Sequence, residues 1–337
     1  MAEQKHPPLV VVYVITYRRA HLLSRALESL VAQTLGDWEA RVVNDDPADD
    51  EVTKLITTMG DPRISLHQPM VRRGAAGAFN EAFRGTDGEF ISVLEDDNWW
   101  EPSFLQVMVA ALRNHPEVVV ACMNERIWKQ IGNSWVTNGQ TIWPEGPDRL
   151  HHLVVERTAA SATICNSSML IRRTEDKSFV TPDDIPVDVT EHFRERLFPQ
   201  PMLLVNEPLV NFSETTSSNR DQIGITWAAY QILLIASCFL SVTPDRRHSL
   251  ARRLLAPEGG QCSPEVASLL LAGAHFPKAF ALWRVANGKQ RLRVLATLLV
   301  RFPRMIKLHS KLSSPRLQRH LQALLSSPFN RSLEQSF

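Results

Sequence analysis

The chain has 337 residues, 44% hydrophobic and 22% charged, with a formal net charge of +1, the make-up of a soluble globular protein with room for two domains. Cys122, Cys165, Cys238 and Cys262 lie far apart with no CxxC pair. Neither a zinc site nor a disulfide framework is signalled, and buried free thiols are the expectation. The run 9–15 is continuously apolar and β-branched, the pattern of a strand buried on both faces. Next, 21–33 spaces Leu22, Leu23, Ala26, Leu27, Leu30 and Val31 as a helix does. The run 38–43 is a second strand and ends in the acidic loop Asn44-Asp45-Asp46-Pro47. A short helix over 51–59, a strand over 64–67 and a helix over 75–84 follow. The strand 90–94 runs directly into Glu95-Asp96-Asp97. A helix over 102–114, with Pro102 in its first turn, and a strand over 118–121 close the pattern.

This βαβαβαβ order predicts an α/β fold on a Rossmann-like, mostly parallel, doubly wound sheet. Ligands of such sheets sit beyond the carboxyl ends of the strands, where both acidic clusters fall. From about 126 to 211 the pattern is irregular, and from 225 onward it is helical, punctuated by proline. The 18 residues 225–242 carry no charge, the lower limit for a membrane span. Thr226, Gln231, Ser237 and Ser241 within that stretch favour a buried helix. The polar stretch 1–8 lacks an apolar signal core, so the expected location is cytoplasmic, with peripheral attachment to the inner membrane face as an option.

A strand that ends in clustered carboxylates can hold a divalent cation against a diphosphate, because Mg²⁺ and Mn²⁺ take hard oxygen ligands. Adjacent Asp96 and Asp97 would point apart on a strand, so the chain must turn there for both to face one ligand.

Several segments in order resemble family 2 glycosyltransferases. They are Thr16-Tyr17-Arg18-Arg19, Arg25 to Thr34, Asn44-Asp45, Arg73-Gly74, Asn80 and the stretch from Gly88 to Asn98. The resemblance covers about 9–125 well and 160–220 weakly. It implies the GT-A fold, a nucleoside-diphosphate sugar donor, a divalent cation (Mn²⁺ or Mg²⁺) and inversion at the anomeric carbon. Carried over by position, Thr16 and Tyr17 meet the nucleotide base. Asp45 is the base-recognising aspartate, and Arg73 and Gly74 approach base and phosphates. Asn80 matches an Asn of the next helix, Asp96 contacts ribose and Asp97 binds metal. Glu214 stands near where the family often offers a metal-binding His. Ile15 replaces the usual Pro, Asn44 a first Asp, and Glu95 the first of three Asp.

The family draws its general base from an acidic residue near the start of a later helix. Aligning Phe193 and Leu197 puts Thr190 there. Thr190 is a poor base, so Glu191 or Asp188 takes the role, Glu191 first. Spaced by three, those two residues also fit a capping box. The stretch from Asn166 to Arg173 resembles the family's acceptor side.

Two domains are expected, a catalytic one over 1–222 and a helical extension over 223–337. Between 284 and 331 there are eleven Lys or Arg and no Asp or Glu. The rest then carries 26 basic against 36 acidic residues, or about −10. Basic amphipathic helices read as elements for an anionic membrane surface. Docking onto the acidic body is the alternative. Nucleic acid is disfavoured by the lack of stacking aromatics. The expected partners are the donor, an unidentified hydroxyl acceptor and that membrane surface. A nucleotidyltransferase on a similar sheet would need a Gly-rich phosphate loop after the first strand, and residues 16–19 contain no glycine. A non-catalytic nucleotide-sugar-binding protein is the remaining alternative.

Overall fold

The computed structural model describes residues 6–85, 87–132, 134–144, 146, 150–153, 164–174, 179–199, 201–215, 224–239, 242–256 and 265–326. The first elements alternate as the periodicity predicts. They are β1 (Val10–Thr16), α1 (Ala20–Val31), β2 (Trp38–Asn44), α2 (Glu51–Met59), β3 (Ile64–His67), α3 (Gly74–Arg84) and β4 (Phe90–Glu95). β5 (Trp99–Trp100), α4 (Phe104–Asn114), β6 (Val120–Ile131), β7 (Ser134–Val136), β8 (Leu150–Leu153), β9 (Met169–Arg172), α5 (Val187–Glu195) and β10 (Met202–Glu214) follow. Then come α6 (Gly224–Cys238), α7 (Pro244–Leu255), α8 (Glu265–His275), α9 (Ala281–Val285), α10 (Gly288–Val300), α11 (Phe302–Leu312) and α12 (Pro315–Ser326).

The strands form one sheet in the order β3-β2-β1-β4-β9-β6-β10-β5, with β7 on β6 and β8 on β10. The half from β3 to β4 is parallel throughout. The other half is mixed. β9 enters antiparallel to both β4 and β6, and β10 returns parallel to β6. The strand predicted over 118–121 therefore does not neighbour β4. Ser92 Oγ fixes the inserted strand by donating to the Met169 carbonyl at 2.7 Å.

β1 is buried at every position. Val10, Val12 and Val14 share a core with Leu23, Ala26, Leu27 and Leu30 of α1, Val52 of α2 and Met108 of α4. α3 also packs on β1, with Phe79 and Phe83 buried. Burying a side chain of that kind contributes about 1.5–3 kcal/mol each, which makes this sheet a rigid base for the loops at its carboxyl edge.

The chain divides into two compact units. The first comprises described residues up to Leu153, 164–191 and 201–215. The second comprises 192–199 and 224–326, so the segment after Glu191 belongs with the helical extension. In the second unit α6 is buried from Ala229 to Cys238, apart from the half-buried Gln231. Tyr230 Oη lies 2.8 Å from His320 Nδ1. No helix among the described residues is long and apolar enough to cross a membrane, which agrees with a buried α6.

Candidate functional site

Three parallel strands end side by side. Thr16 stands level with Asn44, and Ile15 with Glu95. The ladder runs one step further, because the Asp45 and Asp96 N–H groups donate to the Thr16 and Ile15 carbonyls. After Glu95 the chain turns, and the Asn98 N–H returns to the Glu95 carbonyl at 3.1 Å. That turn brings the two aspartates onto one partner. Arg19 donates to Asp96 at 2.6 Å and to Asp97 at 2.9 Å.

Asp96 is fully buried, and Thr16 Oγ1 donates to its Oδ2 at 2.8 Å. Burial raises its pKa, opposed by the Arg19 charge. Asp97 is 17% exposed, so it is the accessible carboxylate of the pair. Arg25 closes the turn from α1. It donates to the Asp97 carbonyl at 2.8 Å and lies between the rings of Trp99 and Trp135. Burial lowers this guanidinium to about 10, against the Asp97 charge.

A second group forms beside β2. The Arg73 N–H donates to Asp45 Oδ1 at 2.7 Å, and Arg72 Nε is 3.6 Å from Asp45 Oδ2. The Arg72 guanidinium also covers the Tyr17 ring at 4.1 Å. Gly74 opens α3 with φ +76°, a left-handed backbone that favours glycine. Tyr17, Asp45, Arg73 and Gly74 thus meet as one cluster. Asn80 does not join it. It is fully buried and pins the loop before α5, donating to the Thr181 carbonyl and Asp183, each at 2.7 Å.

A short 3-10 turn, Asn166–Ser168, faces the acidic turn. Ser167 Oγ donates to Glu95 Oε2 at 2.8 Å, and the Glu95 N–H donates to Ser167 Oγ at 3.0 Å. Asn166 donates to Glu191 Oε1 through its backbone at 3.2 Å and its side chain at 3.1 Å. Glu191 is therefore tied to the acidic motif through two consecutive residues. The Asp188 side chain lies outside the described residues. Glu214 pairs with Lys129 at 3.4 Å. Its neighbour Ser213 donates its N–H to Asn98 Oδ1, so the end of β10 adjoins the acidic turn. No group of three metal-capable His, Cys, Asp or Glu side chains occurs among the described residues.

The roles of Arg19, Arg25, Arg72 and Ser167 escape a reading of spacing. The available signal was charge balance. Three arginines at 18, 19 and 25 flank the strand whose neighbour ends in three carboxylates.

Glu125 is a further buried carboxylate, accepting the Cys165 N–H at 3.0 Å. Burial pushes it up to about 7, opposed by that hydrogen bond. A raised acid favours folding in its neutral form. That stability is present below the ordinary carboxylate value near 4.5 and is lost as pH rises through about 7. Glu125→Gln keeps the acceptor and removes the charge. The variant is expected to melt near wild type at pH 5 and several degrees above it at pH 8, a gain on the order of 1–3 kcal/mol. Melting curves at the two pH values check this. Equal melting points at pH 8 would refute it.

Clustered carboxylates at the carboxyl edge of a parallel half-sheet, joined to a mixed half, define a protein of the GT-A fold. The chain aligns with the crystal structure of Staphylococcus aureus TarS 1–349 in complex with UDP-GlcNAc at a TM-score of 0.55 and 14% identity. The alignment covers 97% of this chain and 91% of that one. Residues 11–175 belong to glycosyl transferase family 2, whose family model matches them. WcaA of Escherichia coli K12, named for glycosyl transfer in colanic acid biosynthesis, is 32% identical over 107 residues. That match covers 32% of this chain and 38% of WcaA. WfgD of Escherichia coli, named a UDP-Glc:alpha-D-GlcNAc-diphosphoundecaprenol beta-1,3-glucosyltransferase, is 32% identical over 104 residues. There the match covers 31% of this chain and 41% of WfgD. The chain thus matches less than half the length of either relative.

Proposed function

We propose that the protein is an inverting glycosyltransferase that moves a sugar from a UDP-sugar to an acceptor hydroxyl. One observation carries this reading: the turn Asn166–Ser168 holds Glu95 through Ser167 and Glu191 through Asn166. A single displacement needs a base on the acceptor side in fixed relation to the diphosphate site, and this turn ties Glu191 to Glu95, which opens the acidic turn that carries Asp97. UDP as the nucleotide carrier is supported by the names of WfgD and of the TarS complex.

Tyr17, Asp45, Arg73 and Gly74 would hold the nucleotide, with Asp45 Oδ2 accepting from a base N–H. Asp96, committed to Thr16 and Arg19, would fix the ribose side of the turn. The residues present fit a divalent cation that arrives with the donor. Mg²⁺ and Mn²⁺ accept one or two protein carboxylates and take their other ligands from phosphate and water. Asp97 would hold the ion, with Glu214 as a second candidate ligand. When bound, the ion would neutralise charge that develops on the diphosphate.

Glu191 accepts the proton of the acceptor hydroxyl as that oxygen attacks the anomeric carbon. The bond from this carbon to the diphosphate breaks, its electron pair leaves with the nucleoside diphosphate, and the configuration inverts. Asn166 keeps the Glu191 carboxylate oriented throughout.

A thermal-shift screen of nucleotide sugars, with and without Mn²⁺, tests the reading. A UDP-sugar with Mn²⁺ is expected to raise the melting point most, by a stabilisation of about 2.7 kcal/mol at a hundredfold excess over Kd. Stabilisation by no nucleotide sugar, together with no release of nucleoside diphosphate, would overturn it.

A further inference from the structure

We propose that α10 and α11 form a docking face for the surface of a bilayer that contains anionic lipid. Leu292, Leu295, Leu299, Val300, Phe302 and Ile306 are between 52% and 82% exposed. Leu292, Leu295 and Leu299 recur at helical spacing and share one face of α10, as Phe302 and Ile306 share one face of α11. Elsewhere among the described residues the exposed large apolar side chains occur singly or as the pair Met70 and Val71.

This surface is not an inner face left without a core. Val294, Leu308 and Leu312 of the same helices are already buried. Each helix thus buries one side while turning other apolar side chains to solvent.

The charge around the outer stripe selects its occupant. Lys289, Arg291, Arg293, Arg301, Arg304 and Lys307 are all exposed and interleave with it, and 284–331 contains no carboxylate. A protein partner would have to match apolar ridges and a solid cationic rim at once. A bilayer surface with anionic lipid offers both environments in layers. Apolar side chains enter the headgroup and acyl boundary, while the long stems of Lys and Arg keep their charges at phosphate level. Single-stranded nucleic acid fits less well, because five of the six outer apolar side chains are aliphatic and cannot stack on bases. The helices would lie in the plane of the interface, in keeping with their lengths of 13 and 11 residues.

Co-sedimentation of the full-length protein with vesicles tests the proposal and does not depend on sugar transfer. The vesicles are phosphatidylcholine alone or mixed with phosphatidylglycerol. The protein is expected to sediment with the anionic vesicles at low ionic strength and to be released toward 1 M salt, where the Debye length falls to about 3 Å. Two variants separate the contributions, Leu295→Gln with Leu299→Gln and Phe302→Gln, and Arg301→Gln with Arg304→Gln and Lys307→Gln. All six positions are exposed, so the melting temperature should stay at the wild-type value. Each variant is expected to lower partitioning by about tenfold or more. Should the apolar variant misfold, the charge variant alone decides. Three results would overturn the proposal: no sedimentation with anionic vesicles at low salt, wild-type partitioning by both variants, or binding to a single-stranded oligonucleotide without binding to vesicles.

Discussion

Asp97→Asn is expected to lower sugar transfer by about 10²–10³-fold, because several kcal/mol of charge stabilisation on the leaving diphosphate would be lost. The fold should not change. Asp97 is partly exposed, Asn has nearly the same volume, and the hydrogen bond from Arg25 goes to the Asp97 backbone carbonyl. The neighbouring position gives the contrast. Asp96 is fully buried between Thr16 and Arg19, so Asp96→Asn leaves the Arg19 guanidinium with a weaker partner. Arg19 is 37% exposed and keeps Asp97 as a partner, so the change amounts to a weakened charge-assisted hydrogen bond of about 1.5–3 kcal/mol, and Asp96→Asn should lower the melting temperature where Asp97→Asn does not. Calorimetric titration of donor into each protein, with and without Mn²⁺, separates binding from folding. Metal-dependent donor affinity that survives Asp97→Asn unchanged removes Asp97 from the metal site.

Glu191→Gln is expected to cut turnover by about 10²-fold or more while donor affinity stays near wild type. The substitution is informative because of how Glu191 is held. Both donors from Asn166 go to Oε1, and a glutamine retains an oxygen there. Position is kept and basicity is lost. A residue with a purely structural role would lose little on this change. Asp188→Asn is the matched control. A large loss at Asp188 alone transfers the role of base to it, and wild-type turnover in both variants excludes both. α5 begins at Val187, so Asp188 and Glu191 lie within the helix rather than forming a capping box at its start.

The parallel half of the sheet was legible because its strands are buried on both faces. β1 and β4 therefore read as continuous apolar runs, and helical periodicity between strands forces the crossover order. β9 was not legible. It is four residues long, and its place between β4 and β6 depends on pairing with residues such as Ser92, 77 positions away along the chain. No local period encodes such a pairing. The carboxylates at 45 and 95–97 were legible from their position at strand ends. Their partners were not, because Arg19 and Arg25 approach Asp97 from a helix end and a helix face. The link from Glu191 to the acidic turn was hidden for the same reason. It passes through Asn166 and Ser167, a segment that sequence alone assigns only to the acceptor side.

The late arrival of β9 has a consequence for synthesis on the ribosome. When residue 131 has been added, β4 and β6 exist, yet β4 lacks β9 and β6 lacks both β9 and β10. Both edges are apolar and carry unpaired N–H and C=O groups, the kind of edge that recruits other chains. About forty more residues must be made before 169–172 can fill the gap, a delay of roughly 2–8 s at 5–20 residues per second. The strand that seals the sheet also carries the turn that links Glu95 to Glu191. A nascent chain therefore cannot link Glu95 to Glu191 before it has filled the gap between β4 and β6.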